Sequence, residues 1–146
     1  MLKSKKNETP NWKKVINKRP MKCNLCGGGV RYVPNDKIYG KRYGSGYAYL
    51  CSVCGAYTGT HKPRPKDALG LLANAEMRRL KVECHDLFDA QWTNYEERCE
   101  MYRWLAKQMG ISVRDCHFGY FDIELLKKAK QILECVEIWQ IYLPYV

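Results

Sequence analysis

The sequence predicts an α+β fold in which an N-terminal four-cysteine ribbon packs on a three-helix C-terminal unit. Three observations predict it. Two C-x-x-C-G runs, residues 23–27 and 51–55, flank a stretch rich in tyrosine and glycine. A proline-rich segment follows, with Pro63 and Pro65. Beyond it, apolar residues recur at three- and four-residue spacing, the period of a helix that buries one face.

Taken in order, residues 1–20 read as a basic flexible arm, polar and lysine-rich, with Pro10 and Pro20 and only Trp12, Val15 and Ile16 as apolar anchors. Residues 21–61 read as the ribbon. Val30 to Val33 has strand character, and Pro34, Asn35 and Asp36 form a turn cluster. Lys37 to Tyr39 resumes a strand. Gly40, Gly44 and Gly46 break it into loops, Tyr47 to Leu50 leads into the second cysteine pair, and Ala56 to Thr58 is a last strand. Residues 62–67 read as a linker, because two prolines fix the backbone and remove donors. Residues 68–146 read as the helical domain. Asp67 is placed to cap a first helix whose stripe is Leu69, Leu72, Glu76, Leu80, Cys84 and Leu87, widened by Met77 and Phe88. A second helix spans about Tyr95 to Met109, with Tyr95, Cys99, Tyr102, Ala106 and Met109 on one face, and Gly110 ends it. Ser112 to Asp115 resembles a capping box opening a short turn. Asp122 caps a last helix with Leu125, Ala129, Ile132, Val136 and Trp139 on its buried stripe, and Pro144 stops it.

The two cysteine pairs carry the chemistry. A C-x-x-C on a tight turn directs both sulfurs at one point, and two such turns complete a tetrahedron. Cys23, Cys26, Cys51 and Cys54 are therefore the expected ligands of one ion. The glycine after each second cysteine is free to take positive φ, which turns backbone N–H groups toward the sulfurs. Twenty-four residues separate Cys26 from Cys51, enough for a hairpin. Zn2+ suits four soft thiolates in a closed, redox-silent site, although iron shares this ligand set. A redox motif needs only one pair.

The remaining cysteines and histidines are read as packing. Cys84-His85 and Cys116-His117, with Cys99 and Cys135, outline a second Cys/His set. Adjacent residues on a helix diverge by about 100°, so Cys84 and His85 do not readily share an ion. Cys84 and Cys99 fall on apolar stripes, where free cysteine acts as a small hydrophobe. A Cys116–His85 nucleophile pair is possible only across space. Asp89, four residues on, is placed to orient His85. His61 is read as the point where the ribbon hands over to the linker, with a substitute ligand as the alternative. No catalytic residue is expected, and the protein is read as a non-enzyme.

The formal charge of +10 is one-sided. Residues 1–22 hold eight Lys/Arg against one acid, residues 23–66 seven against one, and residues 67–146 ten against thirteen. Such a field suits a polyanion on one face, or simply keeps the chain soluble. On the ribbon, rings alternate with cations: Arg31, Tyr32, Lys37, Tyr39, Lys41, Arg42, Tyr43, Tyr47 and Tyr49, continued by Lys62 and Arg64. Exposed rings stack on unpaired bases while cations neutralise phosphates. The bland alternative is that the tyrosines form the ribbon's thin apolar cover. No apolar run is long enough to span a membrane, and Met1 to Lys6 lacks a signal-like stretch, so a cytoplasmic location is expected. Oligomeric state and the choice among DNA, RNA and protein are not legible.

The runs CNLCGGGV, IYGKRYG, YLCSVCGAYTGTH, LGLLANAEMRRL, CHDLFDAQW, MYRWLAKQMGI and DCHFGYFDIE, in that order from about Met21 to Leu133, resemble a phage-associated family of zinc-finger-containing proteins of unknown function. The combination of the cysteine pairs with HFGYFD is the specific part. The resemblance implies a zinc-binding module of a phage or prophage protein acting in a bacterial host cytoplasm, with no assigned enzymatic activity. The expected partner is nucleic acid or a host nucleic-acid-processing complex. The alternative is a protein-binding inhibitor of a host enzyme or defence complex, with the ribbon as docking surface.

Overall fold

The computed structural model describes residues 17–135. Most of the N-terminal arm, together with Val136, Trp139 and Pro144, lies outside the described residues. The chain divides into two compact units, one of residues 11–78 and one built on residues 79–146. The architecture is α+β: a small antiparallel sheet carrying the cysteine pairs, and a helical C-terminal region.

In the first unit, β1 (Val30–Pro34), β2 (Tyr47–Cys51) and β3 (Tyr57–Gly59) form a sheet in the order β1-β2-β3. Val30 pairs with Cys51 and Pro34 with Tyr47, and Leu50 pairs with Tyr57. The core of this unit is thin. It gathers Cys23, Tyr49, Cys51, Ala56, Ala68 and Leu72, with Val30 against them.

Two sequence readings fail here for backbone reasons. Residues 37–39 are not a strand but part of α1 (Asp36–Tyr39), a single helical turn. The β1–β2 ladder ends at Pro34, so there is no partner strand, and the N–H groups of Ile38 and Tyr39 donate to the Asn35 carbonyl instead, each at 3.0 Å. Residues 62–67 are not an interdomain linker. They form a loop inside the first unit, closed by the Thr60–Ala68 bridge and by hydrogen bonds from His61 N–H to the Asp67 carbonyl (3.0 Å) and from Asp67 N–H to the Arg64 carbonyl (2.9 Å).

The chain after this loop returns along β3. Leu69 N–H donates to the Gly59 carbonyl at 2.9 Å, and Ala73 exchanges hydrogen bonds with Tyr57 at 2.9 and 3.2 Å. Asp67 therefore caps nothing. Its carboxylate faces Arg64 at 3.2 Å and Arg19 at 3.8 Å. Leu69 is exposed, and Leu72 belongs to the ribbon core. The helix α2 runs Ala75–Asp89, and its first turn is capped by Asn74, whose side-chain oxygen accepts from Met77 N–H at 2.9 Å.

In the second unit, α3 spans Tyr95–Met109 as the periodicity requires. Asn94 caps it by accepting from Glu97 N–H at 2.9 Å, and Glu97 reaches back to the Thr93 N–H at 2.8 Å. Gly110 closes its end. The buried face is Met101, Leu105, Ala106 and Met109, so Tyr95, which is exposed, is not on it, and Cys99 is only half-buried.

Two 3-10 turns follow, Val113–Asp115 and Phe118–Tyr120. Ser112 makes no side-chain cap, so that capping box does not form. Asp122 does cap α4 (Ile123–Glu134), accepting from Leu125 N–H at 2.9 Å. The stripe of α4 is Leu126, Ala129 and Leu133, with Leu125 and Ile132 at its half-buried margin. Phe88, Phe118 and Phe121 meet edge-on at 5.6–5.7 Å and form the aromatic centre of this unit. No helix among the described residues is long and apolar enough to cross a membrane.

Candidate metal centre

The two cysteine turns have the same local geometry. In the first, Cys23 N–H donates to the Gly28 carbonyl at 2.8 Å and Gly27 N–H to the Cys23 carbonyl at 2.9 Å. In the second, Cys51 N–H donates to the Ala56 carbonyl at 2.8 Å and Gly55 N–H to the Cys51 carbonyl at 3.2 Å. Gly27 and Gly55 sit at φ of 76° and 78°. A Cβ there costs about 1–2 kcal/mol, so glycine is the residue the turn needs. Backbone N–H groups point at the sulfurs: Leu25 at Cys23 and Val53 at Cys51 (both 3.4 Å), and Gly28 at Cys26 (3.3 Å).

The turns converge. All four Sγ atoms lie within 4.8 Å of one another, with Cys26 to Cys51 at 3.4 Å and Cys23 to Cys54 at 3.7 Å. A tetrahedron with Zn–S bonds of about 2.3 Å has edges of about 3.8 Å, so the cluster has the dimensions of a tetrathiolate zinc site. Its electrostatics call for a cation. The Cys51 thiol is drawn down to about 6, first by the Cys54 N–H directed at it. Cys54 is pushed up to about 12: the Ala56 N–H lowers it, but desolvation and the Cys26, Cys51 and Cys23 sulfurs outweigh that pull. Four such thiolates cannot all be ionised together without a cation among them.

The first turn is also tied to the strap after the loop. The Asn24 side chain donates to the Leu72 carbonyl at 3.0 Å and accepts from Leu72 N–H at 2.9 Å. Sequence reading missed this contact, because an asparagine inside C-x-x-C carries no signal of a partner forty-eight residues away.

A family model described as a zinc-finger-containing domain matches residues 19–136. The chain belongs to this family. No curated protein and no solved structure matches it. The family and the sulfur geometry agree: the protein binds zinc through Cys23, Cys26, Cys51 and Cys54. Among the described residues, these four are the one Cys/His/acid group close enough to hold a metal ion, so the second Cys/His set does not assemble. Cys84 and Cys116 are buried, and burial pushes their thiols up to about 11 and about 12. His85 packs edge-on against Phe118 at 4.8 Å, and desolvation lowers its pKa. Asp89 does not orient it by a hydrogen bond; its carboxylate accepts from the Trp92 indole at 3.1 Å.

The ring-and-cation residues of the ribbon separate into groups. Tyr49 is buried, and its hydroxyl donates to the Lys66 carbonyl at 2.5 Å, so it belongs to the core and offers no stacking face. Tyr47 is half-buried, stacked on Tyr32 at 4.9 Å under the Arg42 guanidinium at 4.9 Å. Tyr32 donates to the Pro65 carbonyl at 2.6 Å, which seats the 62–67 loop. Arg64 is engaged by Asp67, while Lys62 is exposed on the same loop. Arg31 is exposed on the face of β1 opposite Tyr32. Lys37, Lys41, Arg42 and Tyr43 are all exposed on the segment joining β1 to β2.

Proposed function

We propose that this zinc-ribbon protein is a phage or prophage accessory protein that binds nucleic acid, alone or within a nucleic-acid machine of the bacterial host, in the cytoplasm and without catalysing a reaction. The observation that carries the reading is the charge of the ribbon surface. From residue 17 to residue 66 the sequence holds ten Lys/Arg and one acid, Asp36. Among the described residues, no ion pair engages Arg31, Lys37, Lys41, Arg42 or Lys62. Unneutralised cations at this density release counterions from a phosphate chain. The raised Cys84 and Cys116 thiols are poor nucleophiles, which supports binding over catalysis. The test is titration of the zinc-loaded protein with DNA and with RNA at low and physiological salt. Binding that weakens steeply with salt is expected, and absence of binding to either at low salt overturns the reading.

A specific observation favours a second reading, docking on a host enzyme or defence complex. The metal site presents apolar side chains to solvent: Met21 is 81% and Val53 73% exposed, and Leu25 is exposed beside Cys26. Next to them a cleft of about 230 Å³ is lined by Pro20, Met21, Asn24, Leu71 and Leu72 among others. Exposed apolar side chains grouped in this way are typical of protein contacts. Stoichiometric recovery of one host complex that survives nuclease treatment supports this reading over the first.

A further inference from the structure

We infer that the segment from Asn35 to Gly46 is a pre-organised stacking post for an unpaired base, so that the ribbon takes single-stranded nucleic acid in preference to duplex. The inference rests on the nucleic-acid reading above and names the form of the ligand.

It starts from a buried clamp on the backbone that carries an exposed ring. Asn35 is 4% exposed. Its side-chain amide donates to the Tyr43 carbonyl at 2.6 Å, and its side-chain oxygen accepts from the Tyr43 N–H at 3.1 Å. One side chain thus supplies Tyr43 with the pair of hydrogen bonds that a neighbouring strand would give. The Asn35 N–H donates to the Gly46 carbonyl at 2.9 Å, and its carbonyl holds the α1 turn, so the segment is closed on both sides of the clamp.

The residue gripped in this way buries little of itself: Tyr43 is 72% exposed. A ring needed for packing would be buried, and a simple connection would not need a buried amide to fix both backbone groups of one residue. The clamp fixes the backbone from which an exposed aromatic ring projects, and the Tyr39 ring, edge-on at 6.2 Å, limits where that ring stands. A contact to a ring already ordered loses less entropy than a contact that must order it.

The surroundings match one ligand chemistry. Tyr39 meets Tyr43 edge-on at 6.2 Å and is braced by Tyr57 at 6.0 Å. Lys37, Lys41 and Arg42 stand exposed on the same segment. An exposed flat ring on a segment that also exposes three cations fits a base and its flanking phosphates in a single strand. Duplex DNA hides its base faces in its own stack, so it can use the cations but not the ring.

The test uses the full zinc-loaded chain, a labelled oligothymidine and a duplex of equal length, with affinity read by fluorescence anisotropy at low salt. The single strand is expected to bind more tightly. Tyr43→Ala is expected to weaken the single strand about tenfold and to leave the duplex unchanged, while Tyr43→Trp restores binding. Asn35→Ala is expected to weaken the single strand with bound zinc retained. Lys37→Glu with Lys41→Glu weakens both ligands and flattens the salt slope. If Tyr43→Ala changes neither ligand while the lysine pair weakens both, the stacking post is wrong and the basic-surface reading stands. Equal loss for both ligands on Tyr43→Ala also overturns it, since the ring would then serve structure. If neither ligand binds even at low salt, both readings fall, and Tyr43 is better read as an anchor for a protein.

Discussion

Gly28 is where the two zinc turns meet. A Cβ built on it would lie 2.6 Å from Val53 Cγ2, 2.8 Å from Val53 Cβ and 3.2 Å from Cys26 Sγ. The Val53 Cβ is fixed to the second turn's backbone, so Gly28→Ala must push the turns apart. The expected cost is about 1–3 kcal/mol, in the range of overpacking. It should appear as weaker competition with a zinc chelator and be partly relieved by adding Val53→Gly. The eight cysteines then divide by role. Cys51→Ser removes a ligand and should abolish stoichiometric zinc in elemental analysis, since serine offers no soft thiolate. Cys84 is fully buried and its Sγ lies 3.5 Å from the Leu126 carbonyl. Cys84→Ala should leave zinc content untouched and cost about 1 kcal/mol in thermal unfolding, the scale of a small cavity. Rapid thiol labelling of Cys84 in the native protein would contradict its placement in the core.

Elements were legible in the sequence where their signals are local. Helix α3 begins with an Asn94 cap, carries an acidic first turn at Glu96 and Glu97, and ends at Gly110, all within sixteen residues of one another. Replacing Asn94 with Ala should therefore cost about 1 kcal/mol, measurable as a lowered Tm, with zinc binding unchanged. The ligands were equally legible, because C-x-x-C-G specifies its own turn. The start of α2 was not. Periodicity extended the helix back to Asp67, but residues 68–73 are recruited by β3, a pairing across the chain that no spacing reveals. Leu72 sits on the helical stripe in sequence and in the ribbon core in space. The segment with prolines at 63 and 65 was read as a linker for the same reason: the Tyr32 hydroxyl that donates to the Pro65 carbonyl lies thirty-three residues away. The candidate binding face was legible as composition only. Sequence reading grouped Tyr49 with Tyr43, and only the fold shows one ring in the core and the other in solvent.

At the scale of the whole molecule, the two units hold together by different physics. The helical unit has an apolar centre of its own, with Phe88, Leu105, Phe118, Phe121 and Leu126 each almost wholly buried. The ribbon unit has a three-stranded sheet and a buried cluster of six residues of which two are zinc ligands. Small sheets with so little apolar burial depend on their metal, because binding free energy there is folding free energy. Metal removal should therefore act on one unit. Treating the protein with a strong chelator should abolish the part of the tyrosine near-UV signal that the Tyr32, Tyr47 and Tyr49 cluster of the sheet contributes. Most of the far-UV helical signal, which comes from α2, α3 and α4, should remain. Acid should do the same. Thiolate ligands must be deprotonated to hold zinc, so affinity is full at neutral pH and falls as protons compete at lower pH. Zinc release monitored by a metallochromic dye on lowering pH should therefore coincide with loss of the tyrosine signal and precede loss of helicity. A single transition, in which sheet and helices melt together on chelation, would show instead that the metal stabilises the whole chain.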